Sequence, residues 1–105
     1  MLLLGAGLDD PDPRARVMAY REIAEGPATT ASVNQVALSL SSEADPEVRA
    51  AGQDALARID LDVEELALLL KDSPEPIARA WAAHSLGRQG PVGVDALLAA
   101  MQDPS

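Results

Sequence analysis

The chain has no cysteine and no phenylalanine, and it carries one tryptophan, one tyrosine, one histidine and one lysine. Each shortage excludes something. Without cysteine there is no disulfide framework and no thiolate zinc site, and a reduced, cytoplasmic setting fits. Aromatics make up 2% against a hydrophobic content of 48%, so the core has to be built from leucine, alanine and valine. Those residues suit closely packed helices better than a β-sandwich. The only histidine, His84, is not placed with a serine in a recognisable nucleophile motif. With a single lysine, the 105 residues carry a net charge of −9, a poor match for nucleic acid or an anionic membrane. No apolar run approaches the ~20 residues of a membrane span. The opening MLLLGAGL lacks the basic flank and the length of a signal peptide. A soluble, single domain with a modest core is expected.

What the chain has is repetition. Asp45 to Ile59 (DPEVRAAGQDALARI) aligns without gaps on Asp12 to Ile23 (DPRARVMAYREI) and on Glu75 to Leu86 (EPIARAWAAHSL). Pro13, Pro46 and Pro76 are spaced 33 and 30 apart, with Arg16, Arg49 and Arg79 at one fixed offset and Ile23, Leu56 and Leu86 at another. A second pattern precedes each copy. Val33, Val36, Ala37 and Leu40 stand at i, i+3, i+4 and i+7, as do Val63, Leu66, Ala67 and Leu70, then Val94, Leu97, Leu98 and Met101. Met1, Leu4 and Leu8 keep a clipped form of it. Two interleaved stripes of helical period sharing one repeat length describe stacked pairs of helices.

The punctuation agrees. Asp12 and Asp45 are good N-caps, and the proline after each takes the first helical position, where its missing N–H costs nothing. Glu75-Pro76 is a weaker version, with Ser73 as an alternative cap. Gly26-Pro27, Asp60-Leu61-Asp62 and Gly90-Pro91-Val92-Gly93 break the helices. The spacing predicts outer helices over roughly 1–8, 30–42, 62–71 and 92–102, and inner helices over roughly 13–25, 46–59 and 76–89. The expected fold is all-α: a right-handed α-solenoid of about three helical hairpins with incomplete end repeats. One domain over 1–105 would hold repeats at roughly 1–27, 28–60 and 61–90 and a partial one at 91–105.

DPEVRAAGQDALARID resembles the second helix of a HEAT repeat of the short bacterial, PBS-lyase HEAT-like type, and the resemblance covers nearly the whole chain. Tetratricopeptide and ankyrin signatures are absent, and the period is shorter than the ~40–47 residues of longer HEAT and armadillo arrays. The resemblance implies that Asp12 and Asp45 bridge neighbouring repeats with Arg16, Arg49 and Arg79, Glu75 standing in the third acidic place. It also implies that the inner helices line a concave face. Glu22 stands where the other repeats have Ala55 and Ser85, which suits an exposed terminal repeat.

Other chemistry is poorly supported. The glycines of MLLLGAGL lack the third glycine and the βαβ unit of a dinucleotide site. Asp9, Asp10 and Asp12 lack the glycine and glutamate of a calcium loop. Trp81 aligns with Met18 and Ala51, on the side expected to pack between helices. The inner helices carry seven arginines against four carboxylates, +3, and the rest one lysine against thirteen acids, −12. Pairs at i,i+4, Arg21 with Glu25 and Asp54 with Arg58, account for part of this layout.

The resemblance implies a non-catalytic interaction or scaffold module that binds another protein or an acidic peptide through its inner-helix face. The candidate partner-binding residues are Arg14, Tyr20, Arg21, Asp54, Arg58, His84 and Arg88, with Tyr20 as an anchor; no catalytic, cofactor or metal residues are expected. Relatives with this repeat also resemble bilin-lyase subunits, for which a coloured pigment complex would be the sign. Others resemble DNA glycosylases, against which the net charge argues.

The end helices carry apolar stripes with no inner helix beyond them. Burying such side chains is worth ~1.5–3 kcal/mol each, so either the last helix folds back onto the third repeat or another surface covers it: a second copy, a partner, or more of a longer array. Self-association through these stripes is expected in light scattering after size exclusion. A clean monomer near 10.9 kDa at high concentration would rule it out.

Overall fold

The structure, a computed structural model, describes residues 6–101, and it contains helices and no strand among them. A 3-10 turn (Ala6–Asp9) leads to α1 (Pro13–Glu25), α2 (Thr30–Leu40), α3 (Pro46–Arg58), α4 (Val63–Asp72), α5 (Pro76–Gly87) and α6 (Pro91–Met101). The inner helices α1, α3 and α5 all start at the expected proline. The helix expected over 1–8 is, in its described part, that single 3-10 turn; Met1 and Leu4 lie outside the described residues. Among the described residues, Gly7 has low helix propensity and Pro11 stops the turn from continuing toward α1.

Capping decides where each helix begins. Asp12 accepts the Arg14 N–H at 3.0 Å, and Asp45 accepts those of Glu47 and Val48 at 2.9 and 3.3 Å. Thr29 caps α2 through the Ser32 N–H, and Asp62 with Glu65 forms a reciprocal capping box on α4. Glu75 makes no side-chain cap; its own N–H instead donates to Ser73 Oγ at 3.1 Å.

That last bond belongs to a device written three times. Asp10, Glu43 and Ser73 stand three residues before the three prolines. Each offers a side-chain oxygen to the backbone N–H two residues on, at 2.8, 3.0 and 3.1 Å. Each also offers its carbonyl oxygen to an arginine six residues on, with Arg16, Arg49 and Arg79 donating at 2.8, 3.0 and 2.8 Å. One residue thus ties the turn to the inner helix from both its side chain and its backbone. The expected aspartate–arginine bridges are not formed. Asp12 and Asp45 cap their own helices, and among the described residues no ion pair joins them to Arg16, Arg49 or Arg79. The acid that crosses between repeats is Glu43, which takes a bidentate pair from Arg16 Nε and Nη2 at 2.9 and 3.1 Å.

The chain divides into two compact units, 1–60 and 61–105. In the first, α1 packs on α3 and on the 3-10 turn, and α2 packs on α3. The predicted stripe of Val33, Val36, Ala37 and Leu40 is wholly buried, together with Val48, Ala55 and Leu56 of α3. Glu22 is exposed where Ala55 is buried, as the repeat comparison expects. In the second, α4, α5 and α6 pack on one another around Leu61, Leu66, Leu69, Ala78, Ala82 and Leu86.

Two stripes of this second unit are rotated from expectation. On α4, Leu69 is buried, while Val63, Ala67 and Leu70 are half-buried. On α6, Val94, Leu98 and Met101 are exposed, and the face turned inward is Gly93, Ala96, Leu97 and Ala100. This is the same spacing shifted by one residue, about 100° around the helix. Gly93 lies against the Leu86 carbonyl, where a side chain would collide. Small residues admit a close approach that the bulkier stripe would block.

The Arg16 guanidinium holds the Glu43 carboxyl below its ordinary value of 4.5, outweighing the opposite effect of burial. A depressed carboxyl contributes stability above its unfolded value, lost as pH falls through the folded value. Glu43→Gln is therefore expected to lower the urea midpoint at about pH 7, with the gap to the parent chain closing near about pH 3. A gap that persists unchanged in acid would refute this.

Candidate functional site

The anchor assigned to Tyr20 is corrected by the structure: the residue is 1% exposed. Its repeat counterparts, Gln53 and Ala83, are exposed and half-buried, so register alone places this position outward. The cause of the inversion is Gly52 on α3. A Cβ there would stand 3.2 Å from Tyr20 Cζ and 2.5 Å from Leu40 Cδ2, so the missing side chain is what makes room for the ring. The phenol hydrogen-bonds with the Ser39 side chain. Tyr20 is a core residue.

The other candidates are exposed, and they separate by what they bond to. Asp54 and Arg58 pair with each other at 2.9 Å, as i,i+4 spacing suggests. Such a pair on a solvated face contributes little. Arg21 is different: among the described residues no ion pair joins it to Glu25. Arg14 has a side chain 95% exposed, with Asp12 no closer than 3.9 Å. In the second unit, His84 and Arg88 are both exposed at the end of α5. Met18, expected to pack between helices, is 54% exposed, while Trp81 at the same repeat position is half-buried.

Arg14, Arg21 and Met18 come together. They line a groove of about 320 Å³ in the first unit, with Pro13 and Val17 from the α1 side and Asp45, Glu47 and Val48 from the α3 side. Arg14, Val17, Met18 and Arg21 stand at i, i+3, i+4 and i+7, so they share one face of α1. Val17, Glu47 and Val48 were missed by sequence reasoning. For Val17 the signal was there, in the same helical spacing with charged ends and an apolar middle, whereas Glu47 and Val48 join only through the packing of α1 against α3. A larger hollow of about 1050 Å³ is lined by Leu8, Asp9, Asp10, Arg16, Gln35, Leu38 and Glu43, among others. Of its charged members, Asp10, Arg16 and Glu43 are engaged in holding the turns and Asp45 in capping α3.

A family model for HEAT repeats matches residues 1–87. The chain belongs to the HEAT-repeat family. No curated protein and no solved structure gave a match. In HEAT terms, α2–α3 and α4–α5 are hairpins whose second helix carries the exposed candidates Asp54, Arg58, His84 and Arg88. HEAT repeats generally mediate protein–protein interaction or scaffolding and are typically non-catalytic. No described helix is long and apolar enough to cross a membrane.

Tyr20 supplies a direct probe of this packing, because it is the only tyrosine in the chain. Burial pushes its phenol above the ordinary value of 10.0, against a smaller opposing effect of the Ser39 hydrogen bond. A raised acid contributes stability below its unfolded value, lost as pH rises through the folded one. Alkaline titration followed by phenolate absorbance is expected to show a midpoint above 10.0, returning to it in urea. Gly52→Leu would displace the ring, lower stability by ~1–3 kcal/mol or more, and bring the folded midpoint down. An ordinary midpoint in the folded parent chain would contradict the burial of Tyr20.

Proposed function

We propose that the chain is a non-catalytic interaction module that binds another protein through the exposed faces of its inner helices. The observation that carries this reading is the pairing of Arg14 and Arg21, free of ion pairs closer than 3.9 Å, with exposed apolar Met18 on one face of α1. Exposed apolar surface beside unengaged charge is what a partner can use, because the apolar part supplies affinity and the charge supplies orientation. Arg14 and Arg21 are the main binding residues. His84 and Arg88, exposed at the end of α5, are a candidate surface of the second unit by itself, and in the first unit Asp54 and Arg58, already joined to each other, contribute least. A protein or acidic peptide suits this face, whereas nucleic acid does not suit a chain of net charge −9.

The test is affinity capture from cells of the source, comparing the parent chain with a double variant, Arg14→Glu with Arg21→Glu. Both residues are exposed, so the variant is expected to keep its helix content and urea midpoint. Proteins recovered with the parent chain should fall by about tenfold or more with the variant. Recovery that does not change counts against this face, and recovery of nothing specific by either chain counts against an interaction role.

A further inference from the structure

The groove between α1 and α3 has a pattern of charge that specifies more than a binding surface. Its α1 wall reads basic, apolar, apolar, basic: Arg14, Val17, Met18, Arg21. The two arginines are seven residues apart, two helical turns, which places them about 10.5 Å apart along the axis. The α3 positions in the same repeat register are Glu47, Ala50, Ala51 and Asp54, so the same slots on the neighbouring helix are acidic at both ends and small in the middle. The two charged rows face solvent without pairing across: Arg14 approaches only Asp12, and Asp54 is held by Arg58. Asp45, which also lines the groove, is engaged in capping α3. Glu47 is therefore the carboxylate that the groove presents opposite the two arginines.

An occupant must satisfy both walls. Its apolar side chains have to sit over Val17 and Met18, and the volume of about 320 Å³ admits a few side chains and no bulky ligand. Toward α1 it has to offer carboxylates at a spacing of about 10.5 Å. Toward α3 it has to be neutral or basic, because a carboxylate there would meet Glu47. A short amphipathic helix with two acids enclosing a pair of apolar residues at i, i+3, i+4 and i+7 is the complement of the α1 row, and helix-in-groove docking uses that anchor spacing.

Resting on the interaction reading above, we infer that this groove binds an acidic amphipathic helical segment of another protein, its two carboxylates on Arg14 and Arg21 and its apolar pair on Val17 and Met18.

Two fluorescein-labelled synthetic helical peptides test this on the full chain by fluorescence anisotropy. One carries two glutamates enclosing a leucine pair at the stated spacing, and the other has lysines in place of the glutamates. The acidic peptide should bind at least about tenfold more tightly than the basic one. The Arg14→Glu, Arg21→Glu double variant should reverse that order. Met18→Asp should abolish binding of the acidic peptide while leaving the urea midpoint unchanged. Equal binding of the two peptides, no binding of either, or an order that survives the charge reversal would overturn the inference. Those results together with specific proteins recovered in the capture experiment would leave the interaction reading standing without this ligand. The same results with no specific recovery would remove both.

Discussion

The tie at the turn is the constraint on which the repeats depend. A helix's phase, meaning which of its residues face inward, is fixed by where it starts. Asp10, Glu43 and Ser73 fix that start by holding the N–H of the capping residue with a side-chain oxygen, while their carbonyls receive Arg16, Arg49 and Arg79. The proline that follows sets the first helical dihedral and removes a donor that would have had no partner. Shifting the start by one residue would turn each inner helix by about 100°. The buried series Val48, Gly52, Ala55 and Leu56 would then face a different neighbour.

This explains why the arginines recur while their acidic neighbours vary. The carbonyl they grip is present whatever the residue, so the guanidinium contact needs no particular side chain at that place. The side chain there needs only an acceptor oxygen, and aspartate, glutamate and serine each supply one. Glu43 does more than its counterparts because it also takes the bidentate pair from Arg16, with the carboxylate 7% exposed and the guanidinium 18%. It thereby joins the turn before α3 to the start of α1. An uncompensated carboxylate in so enclosed a place would be costly, and the bidentate geometry compensates it.

The helices and their starts could be read from the sequence because they are set by local chemistry: Asp-Pro caps, glycine and proline breakers, apolar spacing. The α2 stripe was read correctly to the residue, since it is β-branched or leucine at every wide position and has only one plausible inward face. The stripes of α4 and α6 were read less well. α4 has leucine at 66, 68, 69 and 70, so several faces are equally apolar and packing chooses among them. On α6 the choice went to glycine and alanine because closeness of approach outweighed side-chain size. Tyr20 escaped for a related reason: its burial is caused by an absence at Gly52, on another helix, and no pattern within α1 records it. Of the candidate site, Arg14 and Arg21 could be named, but the groove that unites them with Val17 and Met18 depends on the packing of α1 against α3.

The family scaffold and the variable surface thus occupy separate positions of one helix. On α1, Arg16 grips the turn and Ala19 and Tyr20 are buried, while Arg14, Val17, Met18 and Arg21 occupy the adjoining face. The register carries that division through the other inner helices, where the same four slots read Glu47, Ala50, Ala51, Asp54 and then Ile77, Ala80, Trp81, His84. One row is basic, one acidic, and one apolar with an aromatic. Substitution in these slots changes what the surface can hold, and it leaves the caps, the arginine grips and the buried series untouched. Because α1 and α3 offer opposite charges from equivalent places, a ligand lying between them would be oriented as well as bound. That orientation follows from two neighbouring repeats differing in sign, which neither repeat alone could provide.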